Sequence, residues 1–182
     1  MVMRNVGHVG GPLLLALASV IVGGLLCKIV HECGHALTAV VLGGRIESVR
    51  ISLPLPSRPG FFRIRYSLPS SDWRNGLTEL MGTGATALLA CVLVVIAMRY
   101  PFSSWPSWVL LPVSLVCAWD MFLYATLPLF GLRRFLVLGG RHAEPVYGAE
   151  MMGIPRWVFL SALAMGFIVF HSLWYWVLQR HD

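Results

Sequence analysis

The stretch KIVHECGHALTAVVLGG, Lys28 to Gly44, sets two histidines, a glutamate and a lysine into the end of a long apolar run. That run extends from Gly11 to Leu42, beyond the roughly 20 residues that a membrane-spanning helix needs. Ionisable side chains in hydrocarbon are costly and mark functional positions by default. The stretch therefore raises two questions together: what architecture surrounds it, and what its polar residues hold.

The architecture follows from composition and spacing. Of 182 residues, 57% are hydrophobic and only 12% charged, against about a quarter charged in soluble domains. Mean hydropathy is +0.74. Three further apolar segments follow the first, giving four in all at about 11–42, 77–98, 105–130 and 157–178. The first is too long for a signal-peptide core and is expected to stay in the mature protein. Between the first and second segments, RIESVRISL and FFRIRYSL alternate apolar with polar residues around PLPSRPG, which predicts a β-hairpin over about 45–68. The link from Gly131 to Arg156, with RR, GG and two prolines, reads as irregular loop. The expected fold is an all-α polytopic membrane protein, a single domain of about four transmembrane helices with a small cytoplasmic β-hairpin between the first and second.

The +6 net charge comes from 13 Arg and one Lys against eight acids. Basic residues are not interleaved with stacking aromatics, so a nucleic-acid partner is not expected. They mark topology instead. Arg45, Arg50, Arg58, Arg63, Arg65 and Arg74 lie on one long link, and Arg133, Arg134, Arg141 and Arg156 on the other; only Arg4, Arg99 and Arg180 lie opposite. The positive-inside tendency then puts both long links in the cytoplasm. Compactness points to a plasma membrane. Trp105, Trp108, Trp157, Trp174 and Trp176, near segment ends, read as interfacial anchors. Cys27, Cys33, Cys91 and Cys117 have no paired spacing and read as small buried core residues rather than disulfides or thiolate ligands.

His31 and His35 are four residues apart, so on a helix they share a face one turn apart, where two imidazoles can grip one Zn²⁺. Glu32 is then placed as general base toward a zinc-bound water. HECGH in an apolar helix, followed by ALTAVVLGGRIESVRI, resembles the site-2 protease family of intramembrane zinc metalloproteases. ELMGTGATALLA is similar to the small-residue-rich second core helix of that family. The likeness covers about the first half of the chain. It implies an endopeptidase with one zinc per chain, cutting membrane-protein substrates in or near the bilayer. His31 and His35 would be ligands and Glu32 the base, with the hairpin as a possible substrate-pairing edge.

A catalytic zinc site takes three protein ligands, and the aspartate of the family's L-D-G stretch is missing here. Two acids compete for the role. Asp120, the only ionisable side chain well inside the third segment, is compatible in depth with the histidines and is favoured on that ground. Glu144 is the rival: GRHAEPVYGAEMMGIP resembles the S-D-A-x-x-x-A-E-x-x-G-I-P stretch of some divergent relatives, but its loop must dip back toward the metal. Asp120 would then orient a ligand histidine. His142 is a weaker third candidate. The missing L-D-G also keeps open a catalytically inactive membrane scaffold of the same fold.

Other polar residues carry less. Glu79 suits a helix start, Thr83 and Thr86 bond either a substrate backbone or their own helix, and no role follows for Lys28. His171 reads as an interfacial histidine. Pro112 and Pro128 are expected to kink or end the third helix, and Gly139 and Gly140 to free the last link. The sequence is silent on oligomeric state.

Overall fold

In the computed structural model of the chain, residues 10–51, 62–101, 103–132 and 142–179 are described. Helix α1, Gly10–Val41, contains the HECGH stretch and ends at the paired glycines. Gly43 takes φ +88°, its N–H donates to the Val40 carbonyl, and the Gly44 N–H donates to the Ala39 carbonyl at 2.8 Å. This double closure is a Schellman cap, which needs the left-handed backbone that glycine adopts without a Cβ penalty. It stops the helix and sends the chain directly into β1, Arg45–Ile51.

Strand β1 pairs antiparallel with β2, Phe62–Ser67, from Arg45 opposite Ser67 to Ile51 opposite Phe62, with an irregularity between Ile46 and Ser48. The strands fall within the expected hairpin, while the PLPSRPG turn lies outside the described residues. So do Arg4, Arg58, Arg133, Arg134, Arg141 and Arg180, and Gly139 and Gly140. Strand β2 turns its unpaired edge to α1, where the Ile64 N–H donates to the Glu32 Oε2 at 3.1 Å.

Helix α2, Asp72–Ala97, begins five residues earlier than expected and packs against α1, α3 and α4. Its buried stripe, Thr78, Gly82, Thr86, Ala90 and Val94, recurs every four residues and is mostly small. In a bilayer, lipid tails are as apolar as leucine, so close backbone approach is what holds helices together. Gly34 makes such an approach to the Met81 carbonyl.

Helix α3, Trp105–Thr126, carries Pro112 internally, and Pro128 falls beyond its end in a 3-10 turn, Leu127–Phe130. The core between α1, α2, α3 and the last helix includes Cys27, Val94, Leu111, Cys117 and Phe170. Cys27 and Cys117 are buried as expected, but Cys33 and Cys91 are exposed, which corrects the reading of all four as core. Cys33 lies two residues from His31, about 200° around the helix, and so faces away from the bundle.

The link from Gly131 to Arg156 is not wholly irregular. Glu144–Met151 forms helix α4. Pro145 stands in its first turn, where a missing N–H costs nothing. Gly153, at φ +81°, closes its end, with Ile154 N–H donating to the Ala149 carbonyl at 2.9 Å. Gly148 crosses α2 at Gly76: a Cβ on Gly76 would come within 2.6 Å of the Gly148 carbonyl oxygen. Helix α5, Arg156–Gln179, follows and is mostly exposed along its length. Among the described residues, four helical segments are long and apolar enough to cross a membrane: Gly11–Val41, Asp72–Ala97, Trp105–Phe130 and Arg156–Gln179.

Candidate metal centre

The two histidines of α1 do share a face, and both are buried. Their outward ring nitrogens are fixed by acceptors. The Nδ1 of His31 lies 2.9 Å from the Asp120 Oδ2, and the Nδ1 of His35 lies 2.6 Å from the Thr78 carbonyl oxygen. A carbonyl and a carboxylate accept, so both Nδ1 atoms carry protons, and the Nε2 atoms are the ones turned to the remaining partner. Those two Nε2 atoms face one another at 3.2 Å. The Glu144 Oε2 completes a triangle, 3.1 Å from His31 Nε2 and 3.5 Å from His35 Nε2.

Three electron-rich atoms this close demand positive charge between them, either protons on Nε2 or a metal ion. The edges match an ion: ligands about 2.0–2.1 Å from a tetrahedral centre are separated by roughly 3.3 Å. His31, His35 and Glu144 therefore form a group able to hold a metal. Burial pushes the Glu144 carboxyl up, but hydrogen bonds with His31 and His35 outweigh it and hold it at about 2. The carboxylate is anionic at neutral pH and suited to a cation.

The structure thus separates the two acids that competed in sequence. Asp120 is not at the convergence point. It is buried on the far side of the His31 ring, where its Oδ2 also accepts from the Thr86 hydroxyl at 2.9 Å. Depth brought Asp120 to the right level of the bundle, but α3 reaches His31 from the Nδ1 side. Glu144 reaches the Nε2 side because α4 is laid across α2 by the Gly76–Gly148 contact. His142 adds no atom to the group.

Glu32 stands next to this group rather than within it. Its Oε1 pairs with Lys28 Nζ at 2.8 Å, and its Oε2 accepts from the Ile64 N–H. Lys28 also donates to the Tyr124 hydroxyl at 3.2 Å, and the Tyr124 ring lies against His31 at 4.5 Å between centroids. Sequence reading assigned no role to Lys28 and did not single out Tyr124 or Thr78. Spacing offered a signal for two of them: Lys28 precedes Glu32 by four residues and Tyr124 follows Asp120 by four, so each pair shares a helix face. Thr78 acts through its backbone carbonyl, which no side-chain pattern discloses. Thr83 bonds within its own helix, to the Leu80 carbonyl.

Gly82 presses the opposite side of His35. A Cβ there would overlap the Nε2, Cε1 and Cδ2 of the ring. Gly82→Ala is expected to weaken metal binding by about tenfold or more, because the ring must swing off the Thr78 carbonyl; support of this kind is worth about 10- to 100-fold in affinity. Gly84→Ala, whose Cβ would meet only Met81 Sδ at 3.4 Å, serves as the control. Metal titration of both variants checks this, and equal affinities would contradict it. No family model, curated protein or solved structure matches the chain.

Proposed function

We propose that the chain is an intramembrane zinc endopeptidase that hydrolyses peptide bonds in or near the spanning segments of membrane proteins. The observation that carries this reading is the convergence of His31 Nε2, His35 Nε2 and Glu144 Oε2 within hydrogen-bond distance of one another, with Glu32 next in chain to His31. Two imidazoles and one carboxylate match the donor set of catalytic zinc, and His31, His35 and Glu144 would hold the ion. Bound there, Zn²⁺ supplies Lewis acidity, lowering the pKa of water to about 7 and polarising a carbonyl oxygen.

The remaining work falls to the chain. Asp120 and the Thr78 carbonyl hold the two imidazoles in the tautomer that exposes Nε2. Glu32 takes the proton of the attacking water and passes it to the leaving amine. Lys28, whose Nζ lies 2.8 Å from the Glu32 Oε1, orients that carboxylate. An edge of the hairpin would give an extended substrate backbone a strand to lie beside, which matters because a helix hides its carbonyls. With both long links in the cytoplasm of a plasma membrane, as the arginines suggest, the centre opens on that side.

A second reading has one observation in its favour. Both Glu32 oxygens are engaged, by Lys28 and by the Ile64 N–H, as they would be in a metal-stabilised scaffold with no catalytic turnover. A cleavage assay decides between them. Purified protein in detergent is expected to cut a synthetic spanning substrate, to lose that activity on chelation, and to regain it with stoichiometric Zn²⁺. Cleavage that survives complete metal removal would contradict the protease reading.

A further inference from the structure

Beside the metal centre lies a cavity of about 230 Å³ lined by Tyr66, Asn75, Thr78, Glu79, Tyr147 and Met151. It abuts the centre through Thr78, whose carbonyl oxygen accepts from His35 Nδ1. Three elements meet there: β2 supplies Tyr66, α2 supplies Asn75 to Glu79, and α4 supplies Tyr147 and Met151. The Gly76–Gly148 crossing fixes the distance between α2 and α4.

The chemistry of the walls is selective. Glu79 is half-buried, and among the described residues its carboxylate has no hydrogen-bond or ion-pair partner. Burying an acid without an ion-pair partner is costly, and no basic side chain is among the described residues that line the cavity. Two phenol rings, Tyr66 and Tyr147, and one amide, Asn75, complete the polar lining. Glu79 is the one charged side chain among the described residues that line the cavity. A carboxylate between aromatic rings suits an ammonium or guanidinium group, which gains ion pairing and ring attraction together.

We propose that this cavity is a subsite for a cationic side chain, lysine or arginine, on the flank of the membrane segment bound at the metal centre. The identity of the ligand as substrate rests on the protease reading; the cation preference itself does not. Spanning segments carry excess Lys and Arg on the cytoplasmic side, the side on which the centre opens in that reading. Glu79 is thus a specificity residue that sets the register of the bound segment.

The test uses synthetic single-span peptides with Lys, Gln or Glu placed at successive flank positions. Their binding to the detergent-solubilised full chain is read by fluorescence anisotropy. The Lys peptide is expected to bind about tenfold more tightly than its Gln counterpart at one position only. Glu79→Gln should remove that difference, and Glu79→Arg should transfer the preference to the Glu peptide. Asn75→Lys, which leaves Glu79 intact and fills the cavity with a charge, should also weaken the Lys peptide. Zinc content equal to wild type shows that each variant keeps its fold. Equal binding of Lys and Gln peptides at every position, or a Lys preference that survives these variants, overturns the proposal. Cleavage measured in parallel separates the two readings: a Lys preference without cleavage contradicts the protease alone, and cleavage without a Lys preference contradicts the subsite alone.

Discussion

Glu32→Gln is expected to lower the cleavage rate by about 10³-fold while leaving bound zinc in place. The substitution is nearly isosteric. The amide oxygen can still accept from the Ile64 N–H, so the approach of β2 to α1 is retained. What disappears is basicity: an amide cannot take the proton of the attacking water, and removing a positioned general base typically costs two to four powers of ten. Retained metal is part of the expectation, because Glu32 contributes no atom to the group of His31, His35 and Glu144. Rate and zinc content measured on the same preparation check both halves. A variant that cleaves as fast as wild type would remove Glu32 from the mechanism and favour a structural role for its pairing with Lys28.

The second large effect separates Glu144 from Asp120. Glu144→Ala reduces the protein ligands from three to two and removes the only negative charge among them, so zinc affinity should collapse and activity with it. Asp120→Asn keeps all three ligands but weakens the hold on His31 Nδ1, and the expected loss is about 10- to 100-fold in affinity. The order of the two variants is the prediction: zinc titration should find Glu144→Ala the weaker binder. Equal losses, or a greater loss in Asp120→Asn, would mean that the aspartate reaches the metal.

How much of this could be read from sequence depends on the length scale of each signal. The four spanning segments are written in runs of 20 or more apolar residues and emerge with boundaries shifted by a few positions; α2 starts at Asp72 because the polar DWRNG already belongs to its first turns. The alternation that predicts β1 and β2 is likewise local. The histidine pair is legible because four residues make about one helical turn. Helix α4 is hard to see in the sequence because eight residues with an internal glycine give no hydropathic period, although Pro145 and the pair Gly153–Pro155 mark its start and stop. The third corner of the metal group depends on α4, since Glu144 arrives only through the Gly76–Gly148 crossing, a contact between positions far apart in the chain. Asp120 stands out in sequence through the cost of a lone acid in a membrane helix, and the structure offsets that cost with His31 and Thr86.

The central claim is that α1 and α4 together hold one metal ion, and the metal content of purified protein tests it most directly. Wild type and His31→Ala, prepared identically and analysed by mass spectrometry, are expected to contain one zinc per chain and essentially none, respectively. Absence of stoichiometric metal from wild type after zinc loading, or an undiminished content in His31→Ala, would contradict the account.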